Sequence, residues 1–92
     1  MLVISLAGEL DGAAVDTAGS VLAPALADPA GLVVIDLAGI TFVGAAGVAL
    51  LYGLARQRPD RESLRLLPGR NPQVRRMLEV TGVGDVIALA AG

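Results

Sequence analysis

One run of the sequence, residues 32–54, most constrains the fold. It reads LVVIDLAGITFVGAAGVALLYGL and contains a single charged residue, Asp36. Its first part is apolar and rich in β-branched residues, which predicts a buried strand over residues 32–37. A turn is predicted at residues 38–39 and extended chain at residues 40–43. A strand of this kind, apolar at almost every position, is typical of the centre of an α/β sheet covered on its faces.

A loop of small residues follows, Gly44-Ala45-Ala46-Gly47, and the apolar residues after it predict a helix over residues 46–56. The first turn of a helix has unpaired backbone N–H groups and a partial positive charge. Ligands and partners of α/β proteins gather where a strand passes through a loop into a helix. We therefore expect the function to depend on this loop, although none of its side chains is polar.

The absence of particular residue types excludes several kinds of site. The 92-residue chain contains no His, no Cys and no Lys. This excludes histidine-dependent triads, the usual zinc sites and lysine-dependent phosphate loops. Asp11 and Asp36 are the only carboxylates near the loop, and no base, nucleophile or metal-binding set accompanies them. We therefore predict a protein that is not an enzyme and that holds no metal or cofactor.

Charge is distributed unevenly along the chain. Residues 1–55 contain five carboxylates and no basic side chain, whereas residues 56–76 contain all seven Arg residues. Most charge runs form a solvated edge, and the alternative is a polarised surface that orients a protein partner. Nucleic-acid binding is disfavoured by the net charge of −2 and by the presence of only two aromatic residues, Phe42 and Tyr52.

The remaining segments predict alternating strands and helices. Strands are expected at residues 2–6, 64–67 and 86–89, and a helix at residues 13–27. Asn71-Pro72 predicts the start of a third helix, because Asn caps and Pro suits the first helical position. Gly82 predicts its end. Residues 37–55 are free of charge and long enough to resemble a membrane span, but they divide into a strand and a helix, which favours burial in a globular domain.

This succession of segments resembles the STAS domain, in particular that of bacterial anti-sigma-factor antagonists. The resemblance rests on Gly-Glu-Leu-Asp, Val-Ile-Asp-Leu, Thr-Phe before the loop, and Asn-Pro followed by Val-Arg-Arg-Met-Leu-Glu-Val-Thr-Gly. It implies an α/β fold, with a STAS-like mixed β-sheet of about four strands and helices packed mainly on one side, in one domain over residues 1–92. The leading strand usual in that family has no counterpart before Leu2, so either this chain starts late or the sheet edge is left open.

The loop departs from the family pattern. In the family it commonly reads Asp-Ser-Ser-Gly, and an anti-sigma factor with kinase activity phosphorylates the first serine. The matching positions are Gly44, Ala45, Ala46 and Gly47. Because Ala45 has no hydroxyl, the phosphate switch that disrupts an interface by charge and desolvation cannot operate there.

The resemblance implies a partner-binding surface that is permanently in its binding state. Asp11 matches a family aspartate near the serine, and Thr41 matches a frequent hydroxyl in the same region. The implied partner is an anti-sigma factor or a serine-kinase-like protein that controls a sigma factor. The implied surface, together with the outer part of the second helix, comprises Asp11, Thr41, Val43, Gly44, Ala45, Ala46 and Gly47.

Two other hypotheses remain open. The first is a STAS accessory subunit of a membrane lipid-transport complex, docked on its ATPase subunit through the second helix. The second is a homodimer formed through the open edge of the first strand. Residues 1–10 lack the basic start of a signal peptide, so a cytoplasmic location is expected in each case.

Overall fold

The computed structural model of the chain describes residues 1–27, 31–58, 60 and 62–90. Within them, strands and helices alternate along the chain, with a pair of helices before the last strand. The elements are β1 (Leu2–Leu10), α1 (Ala13–Ala27), β2 (Val33–Val43), α2 (Ala45–Gln57), β3 (Leu64–Leu67), α3 (Pro72–Val80), α4 (Val83–Val86) and β4 (Ala88–Leu89).

The four described strands form one sheet in the order β1-β2-β3-β4. Each neighbouring pair is parallel. A helical crossover between successive strands returns the chain to the same end of the sheet, which makes parallel pairing the natural outcome. The predicted α/β fold with about four strands is confirmed. The resemblance implied a mixed sheet, and the described strands instead form a parallel one.

The first two strands are longer than the sequence predicted. β1 continues past the expected break after residue 6, and β2 runs straight through the turn expected at residues 38–39. The two strands stay paired across these small residues, because the β1–β2 register shifts twice between Ser5 and Glu9. Small residues therefore mark irregularities inside the strands and not their ends.

One hydrophobic core lies between the sheet and the helices, and it is built from Val, Ile, Leu and Ala. Each described helix contributes to it. In α2, Leu51 and Leu54 face this core, which explains why so apolar a helix forms here. The charge-free residues 37–55 divide between β2 and α2 as predicted. Among the described residues, no helix has the length and apolarity needed to cross a membrane.

Arg58 corrects the view of the Arg-rich stretch as a solvated edge. Its side chain is only 8% exposed. Its guanidinium donates hydrogen bonds to the carbonyl oxygens of Leu26 at 3.2 Å and Gly31 at 2.8 Å. These carbonyls lie near the end of α1 and the start of β2, so Arg58 ties the end of α2 to both. Part of the basic run is therefore structural.

The helix start predicted at Asn71-Pro72 is confirmed. The Asn71 side-chain oxygen accepts hydrogen bonds from the backbone N–H groups of Gln73 at 2.9 Å and Val74 at 3.4 Å. Gly82 follows the helix in the left-handed conformation, with φ of 79°. Both ends of α3 thus use residues whose conformational preferences suit them.

The one-turn helix α4 was not predicted. It occupies Val83–Val86 and leaves only Ala88–Leu89 for the last strand, where a strand over residues 86–89 was expected. The turn buries Val83 and is followed by the buried Ile87. Four residues are too few to show helical periodicity in a sequence, so this turn is set by burial of its side chains against the core.

Candidate partner-binding site

The predicted loop lies where β2 passes into α2, beside the end of β1. Pairing of Leu10 with Val43 brings the ends of the two strands to the same edge of the sheet. The backbone N–H of Gly44 then donates a hydrogen bond to the carbonyl oxygen of Leu10 at 3.1 Å. Asp11, which follows Leu10, consequently lies against a loop that is remote from it in sequence.

The Asp11 carboxyl group occupies the space that a side chain at position 44 would need. A Cβ atom added to Gly44 would overlap the carboxyl carbon and both carboxylate oxygens of Asp11. Only glycine at position 44 allows this placement. Asp11 itself is exposed, whereas Gly44 is buried beneath it. The loop contains no acidic residue of its own, but the Asp11 carboxylate lies over its first position.

Gly47 allows an equally close approach to the backbone of β1. A Cβ atom there would overlap the carbonyl oxygen of Leu10 and would lie 2.8 Å from the Cγ1 atom of Val43. Gly47 is buried, like Gly44. The pattern Gly-x-x-Gly is therefore explained by packing, because its two glycines face inward.

Ala45 and Ala46, between the two glycines, are exposed on the first turn of α2. Gly44 is the N-cap residue of this helix, and no side chain caps the helix. The first backbone N–H groups therefore keep the partial positive charge of a helix N-terminus at the surface. The result is a surface of very small side chains with a positive backbone end and a neighbouring carboxylate.

Thr41 and Val43 contribute to the strand that carries the loop. The Thr41 hydroxyl donates a hydrogen bond to the carbonyl oxygen of Gly8 at 3.3 Å, across the irregular part of the β1–β2 pair. Thr41 is exposed, and Val43 is half-buried against the core. The structure thus brings Asp11, Gly44 and Gly47 together around Leu10 and gives the Thr41 hydroxyl a role in strand pairing.

Sequence reasoning missed an apolar cavity that adjoins the loop. It has a volume of about 350 Å³ and is lined by Phe42, Val43, Gln73, Val74 and Met77. Phe42 is 49% exposed, which is high for the only phenylalanine of the chain. The one available signal was an aromatic residue two positions before the loop, since the other wall comes from α3.

The surface is supported by a contact between α2 and the end of α3. The phenol of Tyr52 donates a hydrogen bond to the carbonyl oxygen of Thr81. This bond fixes the rotation of α2, and therefore the direction in which Ala45 and Ala46 point. Within the part of the chain that the structure describes, no group of three or more His, Cys, Asp or Glu residues is placed to hold a metal ion.

Comparisons with known proteins agree with this fold. The family model described as "Mlab, STAS domain" matches residues 1–89. An anti-sigma factor antagonist from Mycobacterium paratuberculosis is similar, with a TM-score of 0.87 and 24% identity over 98% of this chain and 76% of that one. The anti-sigma factor antagonist SpoIIAA in its unphosphorylated form has a TM-score of 0.74 and 26% identity, over 97% and 78%. A search among curated proteins gives no significant match. The chain belongs to the STAS domain family, as the resemblance indicated.

Proposed function

We propose that this STAS domain is a non-enzymatic, cytoplasmic interaction module of the anti-sigma-factor-antagonist type. It binds an anti-sigma factor or serine-kinase-like protein and so acts in the control of a sigma factor. The observation that carries the proposal is the exposed first turn of α2, where Ala45 and Ala46 lie between two buried glycines. Side chains this small let the backbone of a partner approach closely. The fold shared with two anti-sigma factor antagonists supports the same function.

The chemistry of the surface indicates what the partner presents. Asp11 is the carboxylate at the loop, and Glu9 lies exposed nearby on β1. No basic side chain occurs in residues 1–55. A partner with an Arg or Lys opposite Asp11 would be complementary, and charge of this kind mainly sets orientation and association rate. Phe42 and the adjoining cavity supply the apolar part, because aromatic residues in partly buried positions often anchor interfaces.

The proposed module is not switched by phosphorylation at position 45. Ala45 is exposed at the position that the family's serine occupies, but it has no hydroxyl to accept a phosphoryl group. Thr41 is the residue of the proposed surface that matches a frequent hydroxyl position of the family. Its hydroxyl donates a hydrogen bond to the carbonyl oxygen of Gly8. With respect to this switch, the proposed module therefore stays in the binding state.

The first test is affinity capture of the tagged chain from its native cells, with identification of bound proteins by mass spectrometry. Recovery of an anti-sigma factor or kinase-like protein supports the proposal. Binding of the purified partner is then compared between wild type and Ala45→Glu. We expect Ala45→Glu to weaken binding by about 30-fold or more, roughly 2 kcal/mol, because a charged side chain would be buried in the interface.

Ala23→Glu is the matched control, since Ala23 is an exposed alanine on α1 away from the loop. It should bind within about twofold of wild type, as expected for a surface change outside an interface. If Ala45→Glu binds as tightly as this control, the loop does not form the interface and the proposed site is wrong.

A second candidate function is an accessory subunit of a membrane lipid-transport complex, docked on its ATPase subunit through the same face of α2. The observation that favours it is the absence of a hydroxyl at Ala45, since a permanently docked subunit needs no phosphate switch. Recovery of transporter subunits in the capture experiment, in place of an anti-sigma factor, would select this function.

A further inference from the structure

The free edge of β1 and the side of α1 above it form a second surface, which we call the β1–α1 groove. Among the described residues, β1 lies at the edge of the sheet and pairs with β2 alone. The backbone N–H of Leu2 donates to the carbonyl oxygen of Leu32 at 2.8 Å, so Leu2 directs its backbone groups toward β2. Because this direction alternates along a strand, Val3 and Ser5 direct theirs away from the sheet.

The groove has a volume of about 390 Å³ and is mainly apolar. Its helix side is a stripe of small and apolar residues spaced i, i+3, i+4 and i+7, which places them on one face of α1. An apolar stripe normally packs on a sheet, yet Val21 of this stripe is 57% exposed. The helix side consists of Ala14, Thr17, Ala18 and Val21, and the strand side includes Ile4, Leu6 and Leu10.

An added β-strand fits both parts of this surface. Its backbone would bond to the outward N–H and C=O groups of Val3 and Ser5, as in other complexes formed by strand addition. Alternate side chains of such a strand would point to the helix side of the sheet and enter the groove. The small residues Ala14 and Thr17 leave room there, and Val21 would lose its exposure. Apolar side chains match this lining.

Charge decides which strand is suitable. Residues 1–27 contain Glu9, Asp11 and Asp16 and no basic side chain. Glu9 is exposed on β1, and because side chains alternate along a strand it lies on the face opposite to that of the buried Leu10. Pairing of β1 with β1 of a second copy would join two surfaces that each carry carboxylates and no basic side chain, so neither copy would offer the other a complementary charge. A segment with basic residues is complementary instead.

We propose that the β1–α1 groove binds an extended segment of a partner protein in which apolar and basic residues alternate. The segment adds to the sheet as a strand beside β1, with its apolar side chains in the groove and its basic side chains on the opposite face of the sheet, beside Glu9. This surface does not include the loop after β2, so the inference does not depend on the proposed function of that loop.

The probe is a fluorescein-labelled nine-residue peptide in which valine and arginine alternate, titrated onto the full-length chain and followed by fluorescence anisotropy. A peptide of alternating valine and glutamate is the charge control and should not bind. On binding the valine–arginine peptide, the amides of Val3 and Ser5 should gain protection from hydrogen exchange. Ala45→Glu should bind the peptide as wild type does, which separates this surface from the loop.

Two pairs of variants test the geometry. Ser5→Pro removes an outward N–H group without removing a backbone hydrogen bond between β1 and β2, since proline is tolerated on the open side of an edge strand. Ser5→Ala keeps that group, and both variants lose the hydrogen bond from the Ser5 hydroxyl to the Asp36 carboxylate at 3.4 Å. Val21→Arg places a charge and bulk in the groove, whereas Val80→Arg makes the same change at a valine of α3 that is 72% exposed. We expect Ser5→Pro and Val21→Arg to weaken binding at least tenfold, and Ser5→Ala and Val80→Arg to stay within twofold.

Equal binding of the peptide to wild type, Ser5→Pro and Val21→Arg would show that net charge alone attracts it and would overturn the inference. Absence of binding at millimolar peptide would do the same. If sedimentation shows that the chain alone dimerises and that Ser5→Pro abolishes the dimer, a second copy occupies the groove and the proposed class of partner is wrong. Val21→Arg changes an exposed side chain, so it keeps the test valid should Ser5→Pro fail to fold.

Discussion

The N-termini of α2 and α3 are built in opposite ways, although both helices follow strands of the same parallel sheet. α3 begins after Asn71, whose side-chain oxygen accepts hydrogen bonds from the N–H groups of Gln73 and Val74. α2 begins after Gly44, and no side chain caps it. The side chain of Asp11, from the end of β1, lies against Gly44 without capping the helix.

This difference separates a helix start that serves folding from one that is available for recognition. A capped N-terminus has its orphan N–H groups satisfied locally and stabilises the helix without help from a partner. The open N-terminus of α2 keeps its donors and its positive end at the surface. Its position is held by packing of Gly47 on Leu10 and by the Tyr52 hydrogen bond to Thr81. α2 can therefore leave its first turn exposed and still keep its orientation.

The largest expected effect is on the free energy of unfolding. It tests whether the close contact of Gly47 with Leu10 holds the uncapped start of α2 in place. Gly47→Ala should lower the free energy of unfolding by about 2–3 kcal/mol, because the added Cβ would overlap the Leu10 carbonyl oxygen, a backbone atom that cannot rotate away. Urea denaturation followed by circular dichroism measures the change.

Gly53→Ala in the same helix is the matched control. A Cβ atom at Gly53 would meet no atom within 4 Å outside its immediate helix neighbours. Replacing glycine in a helix interior should then raise the free energy of unfolding by about 0.5–1 kcal/mol. If Gly47→Ala changes the free energy of unfolding as Gly53→Ala does, the contact of Gly47 with Leu10 does not hold the loop in place. The difference between the starts of α2 and α3 then needs another cause.

A smaller effect is expected at the capped helix start. Asn71→Ala should lower the free energy of unfolding by about 1 kcal/mol, because two backbone N–H groups of α3 lose their acceptor. Gln73→Ala, at an exposed position in the same turn, should be nearly neutral. Parallel urea titrations of both variants measure this. If Asn71→Ala is as neutral as the control, the cap does not stabilise α3 and the two helix starts do not differ in the way described.

How much of the molecule could be predicted depends on how far apart the interacting residues are in sequence. The start of α3 was predicted because Asn71 bonds to residues two and three positions later. The bounds of α1 and β3 were predicted because hydrophobic period and breakers are local signals. The four loop residues could be matched to the family's loop because the resemblance compares the whole succession of strands, loops and helices.

Contacts between distant segments were not predictable in this way. The overlap of Asp11 with the space at Gly44 requires the register that pairs Leu10 with Val43. Arg58 was assigned to a solvated run because its acceptors, the carbonyls of Leu26 and Gly31, belong to another part of the chain. The apolar cavity beside the loop and the β1–α1 groove likewise each form between two elements, so neither has a motif of its own.

The smallest expected effect tests whether Asp11 and position 44 share the same space. Gly44→Ser supplies the hydroxyl of a good N-cap, worth a few tenths of a kcal/mol over glycine, but its Cβ must displace the Asp11 carboxyl group. Because that group ends a short side chain that can rotate, the cost is modest. We expect Gly44→Ser to destabilise wild type by about 0.5 kcal/mol and to stabilise the Asp11→Ala variant by a few tenths.

The double-mutant cycle should therefore give a coupling energy of about 0.5–1 kcal/mol between positions 11 and 44, measured by urea unfolding of the four proteins. Additive effects would mean that the carboxylate does not occupy this space in solution. The start of α2 would then be an ordinary uncapped helix end, and Asp11 would have no fixed place from which to meet a basic group of a partner. A coupling of the expected size would show that the absence of a side chain at position 44 is what allows the Asp11 carboxylate to lie over the loop.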